Sequence, residues 1–400
     1  MKRAKLIFVF ALCVGATVLL LCFAANAQSS NDPRGPQGPP ASAANLSALE
    51  TRVHQLERAI HPIAFIANNF SNDLSVVEAT SNTLLSTYTA LPTFGPLSHV
   101  ALNPAGTRAY LNGFSSSGVL VIDTVSLAQV ATITVGPSPS SVAVNPAGTR
   151  AYITDDFNDT VSVIDTTTNA VVATFPVGHG PQDVAFNSAG TKAYVVNRLG
   201  NSVSVIDTAT NNVIAIIPVG FVPTGIAFTP DGARAYVANR NSGPVWAIDT
   251  ATNTVIATIP NVSASSGIAI TSDGTKAYVS SQFDITISVI DTATNAAVAT
   301  IPLAPTRNPA FVALTPDDTR LYVSNAANPI TIGTLDVIDT ATNTVIATIP
   351  TPDFCPLGIA IAPLIPRSKD DCKKDGYQRF RTLGFSNQGQ CIKYVNEHTK

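Results

Sequence analysis

A tyrosine returns at a fixed step along this chain. Tyr110, Tyr152, Tyr194, Tyr236 and Tyr278 are each 42 residues apart, and Tyr322 follows after 44. An aspartate keeps the same 42-residue step at Asp123, Asp165, Asp207, Asp249 and Asp291. Asp339 comes 48 residues later, because residues 326–335 hold an insertion. Internal repetition at this period means a solenoid, a propeller or an array, in which each unit buries its apolar faces only against its neighbours.

The unit at 223–259 shows what repeats. Four short β runs, Gly225–Thr229, Arg234–Asn239, Val245–Asp249 and Thr254–Ile259, are joined by turn chemistry. In Pro230-Asp231-Gly232, proline fixes φ and glycine accepts a positive one. The recurring Asp of Asp249-Thr250-Ala251-Thr252-Asn253 reads as a turn residue that hydrogen-bonds nearby amides, not as a catalytic carboxylate. Four antiparallel strands per repeat make a propeller blade. Six full units start near 97, 139, 181, 223, 265 and 309. Ahead of them, residues 64–90 supply only the last three runs, with Phe65 in the tyrosine position and Glu78 in the aspartate position. Behind them, residues 356–362 supply only the first run. The expectation is an all-β, seven-bladed propeller over 62–363, closed by three N-terminal strands and one C-terminal strand, at about 43 residues per blade. Closure removes the sheet edges that an open array leaves exposed.

Tyr236-Val237-Ala238-Asn239, Tyr194-Val195-Val196-Asn197 and the Val-Ile-Asp-Thr-Ala-Thr-Asn runs resemble the YVTN β-propeller repeat family. The resemblance covers about three quarters of the chain and implies a propeller at an extracytoplasmic site, secreted, periplasmic or on the cell surface. It implies little about a ligand, since propellers host many functions.

The flanks are read separately. Residues 1–27 have the form of a secretory signal: Lys2, Arg3 and Lys5, an apolar run to Ala25, then Ala25-Asn26-Ala27. The run is also just long enough for an uncleaved anchor. Residues 28–45 are a Pro/Gly/Ser-rich spacer, and Leu46, Leu49, Val53, Leu56 and Ile60 in 46–61 fall on a heptad seam, which offers a homo-oligomer contact or a short packed helix. The tail 364–400 is basic and cysteine-paired in this reading. Outside the cytosol Cys372–Cys391 is the pairing that proximity favours, while Cys355 leaves two other pairings open.

Only 12 % of residues are charged, which excludes a mostly disordered chain and a polybasic nucleic-acid binder. Ligands of propellers gather on the axial face built by the loops from the fourth strand to the next first strand and from the second strand to the third. There the repeats differ from one another. The candidate ligand-binding residues are His99, Asp183 and Phe311 on first strands, His179 on a fourth-to-first loop, and Asp155, Asp156, Arg198 and Arg240 on second-to-third loops. No catalytic residue, cofactor or metal ligand is singled out: no His pair has ligand spacing, and no repeat-breaking Glu/His/Arg set matches that of the seven-bladed lactonases. The first function expected is a surface binding or scaffold module with a protein or cell-envelope polysaccharide partner and no nucleic acid. A secreted lactonase- or dehydrogenase-like enzyme and a structural surface-layer component are the alternatives.

Overall fold

The computed structural model describes residues 62–362 apart from 90–94, 114–115, 241–242, 261, 263–264, 327–331 and 353–354. The signal segment, the spacer, the heptad segment 46–61 and the tail with Cys372 and Cys391 lie outside the described residues.

Seven four-stranded antiparallel sheets form the ring. Blade 1 is composite: Ile63–Asn68, Asp73–Glu78 and Thr83–Thr89 come from the N-terminal side, and Pro356–Ala362 pairs with Ile63–Asn68 as the innermost strand. The innermost strands of blades 2 to 7 are Leu97–Leu102, Pro139–Val144, Pro181–Phe186, Pro223–Phe228, Ser265–Ile270 and Pro309–Leu314. The composition of the repeat explains why the strands converge. Each innermost strand carries an alanine directly opposite the aromatic residue of the second strand: Ala101 faces Tyr110, Ala185 faces Tyr194, and Ala360 faces Phe65. All seven of these alanines are partly exposed, as expected where small side chains line a narrow axis.

The core is divided among the seams. Seven apolar clusters form, each joining one blade to the next; Tyr194, Val203 and Val205 of blade 4, for instance, pack on Ile226, Val237 and Ile248 of blade 5. The seam between blades 7 and 1 is made the same way, by Tyr322, Leu335 and Val337 against Ala64, Ile66 and Val77.

The repeat tyrosine also latches the seams with its hydroxyl. Tyr152 donates to the side-chain oxygen of Asn211 at 2.5 Å, Tyr194 to Asn253 at 2.6 Å and Tyr236 to Asn295 at 2.6 Å. Tyr322 closes the ring by donating to Asn82 at 2.5 Å. Each acceptor sits in the third-to-fourth turn of the next blade with φ between 53° and 58°, a region that asparagine tolerates better than most residues. The recurring aspartates shape the same turns: Asp249 accepts the amide N–H groups of Ala251 and Thr252 and the hydroxyl of Thr252. Their role is turn structure, as read from the sequence.

Candidate functional site

All second-to-third and fourth-to-first loops emerge at the same end of the disc, because the strands of every blade alternate in direction. A backbone clasp holds this loop face together. In five blades the first amide of the second-to-third loop donates to a carbonyl of the fourth-to-first loop: Asp156 to Ser138, Arg198 to Gly180, Arg240 to Val222, Ala326 to Asn308 and Asn69 to Cys355.

At the axis, the third residue of each innermost strand is His99, Ser141, Asp183, Gly225, Gly267, Phe311 or Gly358. The structure brings His99 and Phe311 together edge to face, with ring centroids 4.6 Å apart and planes at 87°. The innermost strand between their blades carries Gly358 at this level. A Cβ there would lie 2.7 Å from Cα of His99 and 2.9 Å from the Ser98 carbonyl. Gly267 is confined in the same way by Phe311 Cα and the Ala310 carbonyl, both at 2.9 Å. The sequence comparison of repeats treats this level as released from packing; at two of its seven positions close backbone approach dictates glycine.

Burial holds the His99 imidazole down at about 4, so the ring is neutral at neutral pH. Its Nδ1 is buried without a hydrogen-bond partner among the described residues. Asp183 behaves oppositely. Its Oδ1 accepts Ser141 Oγ–H of the preceding blade at 2.9 Å and the Val184 amide at 2.9 Å, and Oδ2 accepts the Ile226 amide of the following blade at 3.0 Å. Burial still dominates these donors and pushes the carboxyl up to about 6. The residue is partly exposed at the axis. His99, Ser141 and Asp183 stand on consecutive innermost strands, yet no hydrogen bond joins His99 to Ser141, so they form no Ser–His–Asp relay.

Further out, Asp156 and Arg198 of adjacent blades pair at 3.2 Å. His179 Nδ1 lies 3.0 Å from Asp159, whose carboxylate also accepts the Gly180 amide at 2.7 Å. That amide bond, seconded by His179, holds the Asp159 carboxyl below its ordinary range. Asp155 is buried and occupied in its own turn, where it accepts the amides of Phe157 and Asn158 at 3.1 Å. It stands where Asn68, Asn197, Asn239 and Asn325 end their second strands, which marks a structural position. Arg240 is exposed. The eight candidates therefore fall into an aromatic pair at the axis, an enclosed carboxyl, two rim contacts, one turn residue and one exposed arginine. Among the described residues no group of three or more His, Cys, Asp or Glu side chains is placed to hold a metal ion.

Apart from Phe221, which the comparison of repeats places on a fourth-to-first loop, sequence reasoning missed the tips of these loops. Phe70, Phe157, Phe221 and Phe283 are 67–79 % exposed, and Leu199 is 49 % exposed. The signal was present in the sequence, since Phe70, Phe114, Phe157 and Phe283 recur at almost the blade period between the second and third strand runs.

Fold and axis together define a seven-bladed β-propeller with a variable loop face. The sequence matches the family model described as "Lactonase, 7-bladed beta-propeller" over residues 137–336, half of its length, and the chain belongs to that family. No curated protein matches it. Among solved structures it is similar to a functionally unknown protein from Desulfotomaculum acetoxidans, with 18 % identity and a TM-score of 0.65 over 75 % of this chain and 99 % of the other. It is also similar to Kuenenia stuttgartiensis hydrazine synthase, with 20 % identity and a TM-score of 0.58 over 64 % of this chain and 86 % of that one. The dihydro-heme d1 dehydrogenase NirN is similar at 14 % identity and a TM-score of 0.57 over 84 % of each chain. At these identities the likeness is one of fold.

Proposed function

We propose that this protein is an extracytoplasmic binding module that presents its loop face to a component of the cell envelope. One observation carries the reading: among the described residues the large apolar side chains exposed at turns all stand on the loop face, where Asp156 pairs with Arg198 and Asp159 with His179. Exposed apolar groups gathered on one side mark an interaction surface. The likeness of Tyr236-Val237-Ala238-Asn239 to the YVTN repeat supports display at the cell surface, and the signal-like residues 1–27 support export. Residues 46–60, on their heptad seam, offer the contact through which copies would associate.

The test is retention by sedimented envelope material. Phe157→Ser combined with Phe283→Ser should abolish retention, and Ala251→Ser on the opposite face should leave it intact. Equal retention of both variants would defeat the reading.

The family match favours a second reading, hydrolysis of a lactone at the axis. There the Asp183 carboxyl, held up to about 6, is the group suited to take a proton from water. Turnover of five- and six-membered lactones that is lost in Asp183→Asn would establish it. No turnover across the series leaves the binding reading alone.

A further inference from the structure

Sixteen large apolar side chains are exposed among the described residues, and they occur in only two places. One group lies on the outermost strands, such as Val172, Ile214, Ile216, Ile256 and Ile346, where every other residue of an edge strand must face water. The other is Phe70, Phe157, Leu199, Phe221, Phe283 and Ile332, all on the loop face. The first-to-second and third-to-fourth turns at the opposite end hold none of them. Turn tips favour Gly, Asn, Asp and Ser, so no folding rule places phenylalanine there.

We propose that the loop face docks flat on a lipid bilayer and inserts these phenylalanines into the headgroup and acyl boundary. The proposal rests on the binding reading above and names its partner. Three observations select a bilayer. The tips are spread around the ring, in blades 1, 3, 4, 6 and 7 and in the connection from blade 4 to blade 5. A linear polymer or a small ligand engages one groove, whereas points dispersed over one end of a disc engage a plane. Phenylalanine and leucine are the side chains that anchor interfacial proteins in that zone. Most charges of the face compensate locally: Arg198 pairs with Asp156, Arg307 with Asp336, and His179 lies against Asp159, while Arg240 and Asp284 are exposed. Among the described residues the face thus carries no cationic patch for anionic lipid, and attraction to a phosphatidylcholine surface is apolar and little screened by salt.

The full chain has one tryptophan, Trp246, which supplies the background emission. A reporter is placed on each face, as Phe157→Trp and, in the opposite turns, as Ala251→Trp. With vesicles of brominated phosphatidylcholine, Phe157→Trp should shift its emission to the blue and lose at least half its intensity, while Ala251→Trp stays unchanged. In flotation with plain phosphatidylcholine vesicles, Phe157→Ser with Phe283→Ser should lower the bound fraction at least tenfold, and 0.5 M salt should not. Attachment through the apolar residues 6–25 alone would quench neither reporter and overturns the proposal. Quenching of both reporters, or binding only to anionic vesicles with release by salt, overturns it as well. Envelope retention that depends on Phe157 and Phe283 without quenching would replace lipid by a protein or polysaccharide and leave the binding reading standing. Loss of both would remove both.

Discussion

At one end of the disc a single side-chain device recurs around the ring; at the other, loops of five blades share a backbone clasp while their side-chain contacts differ from blade to blade. The turn end sends the hydroxyls of Tyr152, Tyr194, Tyr236 and Tyr322 onto an asparagine of the next blade, so the identity of a residue there is fixed by its neighbour as well as by its own strand. The loop end is tied by amide-to-carbonyl bonds that any residue supplies, and Asn69, Asp156, Arg198, Arg240 and Ala326 all serve. Repetition therefore marks side chains that hold the ring, and variation marks positions whose backbone already does so. Proteins of this architecture are free to change one end without losing the other.

Gly358 gives the strongest way to break that contrast, because it sits in the variable level yet is dictated by packing. A Cβ would meet backbone atoms of Ser98, His99 and Val100, none of which is the end of a flexible side chain. Gly358→Val should cost about 3 kcal/mol or more by overpacking the seam between blades 1 and 2. Ser141→Val, at the same level in blade 3, loses one hydrogen bond to Asp183 and should cost about half as much. Thermal unfolding of the two variants ranks them, and equal losses would show that variation alone measures freedom.

Most of the ring was legible in advance, for local reasons. The expected unit starts at 97, 139, 181, 223, 265 and 309 are the first residues of the six innermost strands, and Pro356–Ala362 is the closing strand. Strand alternation and Pro-Asp-Gly or Asp-Thr-Ala-Thr-Asn turns act over a few residues, so they can be read in one pass. The first strand of blade 5 nonetheless begins at Pro223 rather than Gly225, since a bulge between these two keeps the proline in the ladder. Less of the site was legible. The placement of His99 beside Phe311 depends on the glycine of an intervening blade some 47 residues from Phe311 and 259 from His99. The tyrosine latch was missed because its acceptor lies 59 residues away, in the next repeat.

The axis sharpens the contrast through pH. Asp183, raised from 3.8 to about 6, contributes stability that is complete below about pH 4 and is lost as pH rises through about 6. His99, lowered from 6.5 to about 4, contributes stability that is complete above pH 6.5 and is lost as pH falls through about 4. Each shift corresponds to roughly 3 kcal/mol, and across this window the two oppose each other. Relative to the wild type, Asp183→Asn should gain thermal stability from pH 4 to 6.5, whereas His99→Gln should gain from pH 6.5 to 4. Two differences that stay flat with pH would show that neither group is held as described.

The smallest effect tests the turn end most directly. Blade 1 has Phe65 where the other blades have tyrosine, and the residue that faces it in the third-to-fourth turn of blade 2 is Leu127, not asparagine. Leu127 keeps the positive φ of its counterparts, at 56°, and packs on the apolar cluster that contains Phe65. Donor and acceptor have thus been replaced together, which is the exchange expected of a buried hydrogen bond whose halves are costly when orphaned. The same exchange can be made at the next-but-two seam. Tyr194→Phe strands the Asn253 acceptor, and Asn253→Leu strands the hydroxyl, which burial already holds up at about 12. Each should cost about 1–2 kcal/mol, while the double variant should cost less than their sum by about 1 kcal/mol. Denaturant unfolding of the four proteins measures that coupling. An additive cycle would mean that the tyrosine holds the seam by its ring alone, and that Phe65 and Leu127 changed independently.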